Sequence, residues 1–440
     1  MSVPRTTPQL ARLLESADFA RAFTLAVIAS IAASHLIESL AGRATLVTIV
    51  AAESIIAVAV LVVRRQELSA LRLIPVTLVA FLLWTLASVF WSTDPLESFV
   101  RWLSLAAVAL LAVTIGHIRD TLQTVRAVGD VARLLLVVSL AVEILSGILL
   151  DMPFPFLGVR GDLAQLGPVQ GIFGTRNMLG FFSVVALVTF IIELRTRSVR
   201  PALAIGSILL AGSMALLSAS PTVFVLAFAV STLAGVLYLI RRLPPERRSG
   251  AQWGLAAVAA IGGTVAWLTR SAIIDRLGAA GDLSLRTELW DFIGFYVRRA
   301  PVQGWGWFGP WDVRESPFTA INWLLRESHT TALNAYVDVL LQVGWAGAVV
   351  FVVFFALTFM RSWVDASRRR AAVHAWMPLM VATLGVVSLF ESFTLFGIGW
   401  LLLVICAVRA GQSRSWRETL DRRETDQRLP DAPRGSSPGG

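Results

Sequence analysis

Lysine is absent from all 440 residues, so each of the 38 basic side chains is an arginine. Cysteine occurs once, as Cys406 inside the last apolar run, which excludes a disulfide framework and a thiolate metal site. Charge is also scarce: 15% of the residues are charged against 56% hydrophobic, and the mean hydropathy is +0.71. That balance excludes a soluble globular domain of this length and points to a polytopic membrane protein. A net charge of +9 would suggest a nucleic-acid partner in a soluble chain. Here the arginines lie mostly in short loops between apolar runs, the pattern that orients membrane helices, so no nucleic-acid partner is expected. The first apolar run, 19–40, lacks a small-residue cleavage pattern and is followed by further runs, so it reads as a span and not as a cleaved signal.

Crossing a hydrocarbon core of about 30 Å at 1.5 Å per residue takes about 20 apolar residues. Twelve runs qualify, near 20–40, 44–63, 72–91, 101–117, 129–150, 177–193, 201–218, 221–240, 252–270, 333–360, 373–391 and 393–408. The expected fold is therefore an all-α integral membrane bundle of about 12 transmembrane helices. The last two runs, joined by ESFTLFG, also read as a re-entrant hairpin. Arginines cluster in alternate loops, for instance Arg64 and Arg65, Arg195 to Arg200, and Arg368 to Arg370, whereas WSTDPLES, SASP and ESFTLFG carry none. By the positive-inside rule both termini face the cytoplasm. This divides the chain into a cytoplasmic tail 1–19, nine helices over 20–270 with an external loop 151–176, a long external loop 271–332, three helices over 333–408, and a cytoplasmic tail 409–440. That last tail, rich in Arg, Asp, Pro, Ser and Gly, reads as disordered.

The two long outside segments carry the chemistry, because long ordered loops are more often functional than accidental. In SLRTELWDFIGFYVRRAP, the residues Leu285, Leu289, Phe292, Ile293 and Tyr296 recur at helical spacing, predicting an amphipathic helix that Pro301 ends. The PVQGWGWFGPW that follows is too rich in glycine to stay helical.

An ordered set results: an external amphipathic helix with Arg286 and Trp290, a turn with Pro301, Gly304 and Gly306, then a histidine-bearing segment entering a span at Gly344 and Gly347. It resembles the O-antigen ligase and O-antigen polymerase superfamily of membrane glycosyltransferases. GIFGTRNMLG, with Asn177 and Gly180, resembles a second recurrent feature of that family. The resemblance covers most of the chain in topology, but its motifs lie within about 100 residues. It implies transfer of glycan from an undecaprenyl-diphosphate-linked donor to an acceptor glycan or glycolipid, at the outer face of the cytoplasmic membrane, with no metal and no cofactor. Arginines would hold the diphosphate, since a guanidinium offers planar paired donors and keeps its charge. Histidine would take the acceptor's proton.

Two positions depart from the family pattern. Leu333 occupies the usual base position, before Asn334, and His329 lies four residues earlier. If the helix begins before Ser328, those two positions share a face. Pro221 follows Ser220 where the family often has arginine, leaving Arg176 or Arg160 to supply that charge. The resemblance thus implies His329 and Arg286 as catalytic residues and Arg176, Arg160, Asn177, Asn334, Trp290 and Arg298 as substrate contacts.

Each has a plainer reading. Arg286 suits a solvated helix start, His329 a polar cap, and Asn177 a helix N-cap. The tryptophans suit interfacial anchors, and Arg298 with Arg299 suits lipid headgroups. Glu53 and Glu143 lie within apolar runs and are assigned no role. Two functional rivals stand beside the transferase: a flippase or transporter of lipid-linked oligosaccharide, and a catalytically degenerate relative that scaffolds other enzymes.

Overall fold

The structure, a computed structural model, describes residues 8–65, 74–268 and 280–412. All the regular secondary structure among the described residues is helical, with no β-strand and one isolated bridge, Phe154 to Val159. The first helices are α1 (Pro8–Glu15), α2 (Ala17–Ala32), α3 (Ser34–Ala41), α4 (Arg43–Val63), α5 (Val76–Ala87), α6 (Pro95–Ile118) and α7 (Thr121–Ile144). Then come α8 (Arg176–Thr196), α9 (Pro201–Leu217), α10 (Pro221–Arg242) and α11 (Pro245–Leu268). The last are α12 (Ala280–Arg299), α13 (Phe318–Leu325), α14 (Ala335–Arg368), α15 (Trp376–Val387) and α16 (Gly397–Gly411).

Their starts follow local chemistry. Asp94 caps α6 by accepting from the Leu96 and Glu97 amides, with Pro95 supplying the preset first turn. Asp120 and Gln123 form a reciprocal capping box on α7. Thr175 caps α8 and Asn334 caps α14.

A helix lies at each of the twelve predicted spans, yet the crossings differ from the expected count. Six helices among the described residues are long and apolar enough to cross a bilayer: α4, α6, α7 with its π-helical extension, α8, α10 and α14. A seventh arises if α2 and α3, bent by 70°, form one span. Four more are apolar but short; α15, at 12 residues, rises about 18 Å against a core of about 30 Å. The chain is thus a helical membrane protein. Residues 409–411, assigned to the predicted tail, instead close the last turn of α16. Residues 1–7, 271–279 and 413–440, parts of the predicted tails and external loop, lie outside the described residues.

Apolar surface drives the packing. α16 is apolar on every side and sits at the centre, with Leu401 to Cys406 buried and the Trp400 indole donating to the Leu105 carbonyl at 3.1 Å. A second, smaller core lies under the predicted external segment, built from Leu289 and Ile293 of α12 with Phe308, Trp311, Phe318 and Ile321. Acidic residues inside the bundle find partners. Glu193 takes Arg133 at 2.6 Å, Ser30 donates to Glu53 at 3.0 Å, and Glu143 accepts the Gln170 and Gly171 amides at 2.9 and 2.7 Å.

Candidate functional site

The glycine-rich turn after α12 is seated on a break in α14. Gly344 has φ 65° and ψ −171°, far from helical values, and divides α14 into a short first half and a long second half. Amides and carbonyls freed there pair with the turn. Trp345 N–H donates to the Pro301 carbonyl at 2.8 Å, and Gly306 N–H donates to the Gln342 carbonyl at 2.8 Å. Backbones approach so closely that a Cβ on Gly344 would overlap the Val302 carbonyl, and one on Gly304 would overlap the Gln342 carbonyl. Both glycines also hold positive φ, so the Gly-x-Gly and Gly-x-x-Gly elements are two sides of one contact.

Two buried side chains fix the rest of the loop. The Gln342 amide accepts from Phe308 and Gly309 N–H at 2.7 and 2.9 Å and donates to the Gly309 carbonyl at 2.9 Å. Asp338, fully buried on the same short half-helix, accepts from the Trp311 indole at 2.7 Å, the Ser392 hydroxyl at 2.7 Å, Gln342 at 2.9 Å and the Ala332 amide at 3.2 Å. Four donors satisfy both oxygens of a carboxylate that would otherwise be costly to bury.

Against this frame the Arg286 guanidinium spans three segments. Its Nη1 donates to the Leu333 carbonyl at 2.9 Å and to the Phe390 carbonyl, and its Nη2 donates to Glu391 Oε1 at 3.3 Å. Asn177 Nδ2 donates to the same Oε1 at 2.7 Å, and the Ser220 hydroxyl donates to Asn177 Oδ1 at 2.7 Å. One run of contacts therefore joins the starts of α8 and α10, the predicted external helix α12, the mouth of α14 and the turn between α15 and α16. Of the five guanidinium N–H donors, three are used within the described chain, leaving the Nε hydrogen and one on Nη2.

Four predicted site residues meet here. Arg286 and Asn177 share Glu391; Trp290 donates its indole N–H to the Ala332 carbonyl at 2.9 Å; Asn334 donates to the Leu389 carbonyl at 3.0 Å while capping α14. The other four do not join. Arg298 is exposed on α12, Arg160 is exposed on its loop, and Arg176, in the first turn of α8, makes no hydrogen bond to the cluster. The charge missing at Pro221 is thus not replaced at this point; its neighbour Ser220 contributes a hydroxyl instead.

His329 requires a correction. α14 begins at Ala335, and the segment from Ser328 to Asn334 is not helical, so the shared helical face of His329 and Leu333 does not exist. Leu333 has φ 51°, turning its carbonyl toward Arg286. The His329 backbone is clamped on both sides by Asn322, and its Nε2 lies 3.0 Å from Glu327 Oε2. Nothing ties its imidazole to the Arg286 cluster among the described residues.

Sequence reasoning missed Glu391 and Asp338. Glu391 stood at the end of a predicted span, where an ionisable residue is itself a signal. No three His, Cys, Asp or Glu side chains group as a metal site among the described residues. The chain matches no protein-family model, and no curated protein matches it.

Proposed function

We propose that this protein is a membrane glycosyltransferase of the O-antigen ligase type, moving glycan from an undecaprenyl-diphosphate-linked donor to an acceptor glycan or glycolipid in cell-surface polysaccharide synthesis. In this reading about twelve helices cross the cytoplasmic membrane, the short apolar ones being completed by flanking turns. Both termini lie on the cytoplasmic side, and the Arg286 cluster lies outside. One observation carries the proposal. The two long segments singled out by motif, one bearing Asn177 and the other Arg286, are 109 positions apart in sequence yet meet on a single carboxylate.

Arg286 is suited to the diphosphate because its outer edge, the Nε hydrogen with one on Nη2, meets no acceptor among the described residues while the inner edge is braced by Leu333, Phe390 and Glu391. A guanidinium already oriented by protein loses little freedom when it meets the charge that develops on the leaving group. Trp290, Asn177 and Asn334 belong to the same locus and shape it.

The test is transfer in liposomes carrying a lipid-linked oligosaccharide and a soluble saccharide acceptor. Glycan on the acceptor, with release of polyprenyl diphosphate, is the expected result. Movement of the donor across the bilayer without transfer would identify a flippase or transporter instead. Binding with neither would identify the scaffold.

A further inference from the structure

We propose that Glu391 is the general base of this site, taking the proton of the acceptor hydroxyl; the inference rests on the transferase reading above. Four observations lead to it. Leu333, at the position where the resemblance expects a histidine, offers only its carbonyl, and that carbonyl is occupied by Arg286. His329 is engaged with Glu327 and Asn322. Glu391 touches the guanidinium assigned to the diphosphate, at 3.3 Å. Finally, its two oxygens differ. Oε1 accepts from Asn177 and Arg286, while Oε2 accepts no hydrogen bond among the described residues and is not among the buried side-chain atoms left without a partner. The side chain keeps 7% of its surface exposed, so one oxygen is anchored and the other is neither hydrogen-bonded among the described residues nor fully sealed off.

That asymmetry is what a base needs. The anchored oxygen fixes the carboxylate plane, and the open one can reach a hydroxyl. A diphosphate held on the outer edge of Arg286 would share that cation with Glu391, so the two anions do not face each other without a positive charge between them. Proximity then aligns the reactants: the acceptor oxygen approaches the anomeric carbon from the side opposite the diphosphate.

In the step itself, the acceptor oxygen forms a bond to the anomeric carbon as its proton passes to Glu391 Oε2. The bond from the anomeric carbon to the diphosphate oxygen breaks, and that oxygen keeps the electron pair. Arg286 stabilises the charge so produced. Polyprenyl diphosphate departs, and protonated Glu391 returns its proton to water. Atoms and charge balance with no oxidant, reductant or further reactant.

The experiment compares wild type, Glu391→Gln, Glu391→Asp and His329→Ala, each full-length in liposomes with a fluorescent undecaprenyl-diphosphate-linked glycan and a saccharide acceptor. Glutamine keeps an oxygen for Asn177 and Arg286 but has no basic oxygen. Positioned base catalysis contributes about 10²- to 10⁴-fold, so Glu391→Gln is expected to lose at least about 100-fold in kcat with donor KM within about threefold. Glu391→Asp retains part of the rate, and His329→Ala stays within about threefold. Wild type shows a rate that rises with pH through one carboxyl ionisation; the residual rate of Glu391→Gln does not. Glu391→Gln transferring within threefold of wild type overturns the assignment and leaves the transferase reading intact, as does loss of transfer in His329→Ala alone. Absence of transfer by wild type overturns both. Should Glu391→Gln fail to fold, Glu391→Asp decides: an acidic limb identical to that of wild type overturns the proposal.

Discussion

Arg286 owes its position to the scarcity of other partners inside a mostly apolar molecule. At 16% side-chain exposure it satisfies two carbonyls and a carboxylate that is 7% exposed, and each of those groups would be left wanting without it. Breaking a largely buried ion pair by deleting one partner costs about 3–5 kcal/mol, since the other charge stays buried and alone. Arg286→Ala is therefore expected to lower the melting temperature of the detergent-solubilised protein sharply, read by tryptophan fluorescence. Arg286→Met combined with Glu391→Leu should cost less than Arg286→Ala alone, because an apolar pair leaves no orphan charge. A double mutant as unstable as the single one would show that the two carbonyl contacts matter more than the ion pair. Asp338 makes the same point without a counter-cation among the described residues. Asp338→Ala would strand four donors, at about 1–3 kcal/mol each before relaxation, and is expected to abolish folding or leave a protein that melts far below wild type.

At the scale of elements, the decisive contact is the glycine-rich turn on the broken helix α14. Helix breaks cost backbone hydrogen bonds, and this one is offset because the turn over 301–306 supplies replacements. Gly344 lies where a side chain meets both a forbidden backbone region and a carbonyl oxygen. Such a residue in that region costs about 1–3 kcal/mol before any overlap. Gly344→Ala and Gly304→Ala are each expected to lower the melting temperature, whereas Gly206→Ala, in α9 with nothing within 4 Å of the added carbon, should leave it unchanged or raise it slightly. Equal effects at all three positions would remove the docking argument. The amphipathic pattern of α12 was readable as a pattern: Leu289 and Ile293 are buried as the spacing predicts, while Leu285 is exposed. Periodicity gives a face but not where along the helix the covering layer ends, and that layer comes from residues 308–321.

For the whole molecule, the single cysteine offers a clean probe. Cys406 is fully buried in the central helix α16, so a maleimide is expected to leave it unmodified in the native protein and to label it after denaturation in sodium dodecyl sulfate. Labelling of the native protein at the denatured rate would place α16 elsewhere. The silent background allows topology to be mapped. Ser328→Cys is expected to react with an impermeant maleimide in intact cells, and Arg197→Cys only after permeabilisation. Reversal of that pattern would invert the proposed orientation.

Composition alone determined that the protein is helical and lives in a membrane, because burying so many apolar residues with so little charge leaves few other solutions. Hydropathy also located a helix at each expected span, but it could not tell a helix of 12 residues with flanking turns from one of 20, since both are apolar and only geometry gives length. The identity of the site divided along the same line. Arg286 and the glycine turn lie 15 to 20 positions apart, close enough for one motif to hold them. Glu391 lies 105 positions from Arg286 and 214 from Asn177, and no local spacing records that they touch. Packing of α15 and α16 into the bundle decided it. His329, whose apparent closeness to Leu333 depended on a helical turn that the chain does not form, lost its place for the same reason: which atoms face one another is fixed by backbone path and burial, not by distance along the sequence.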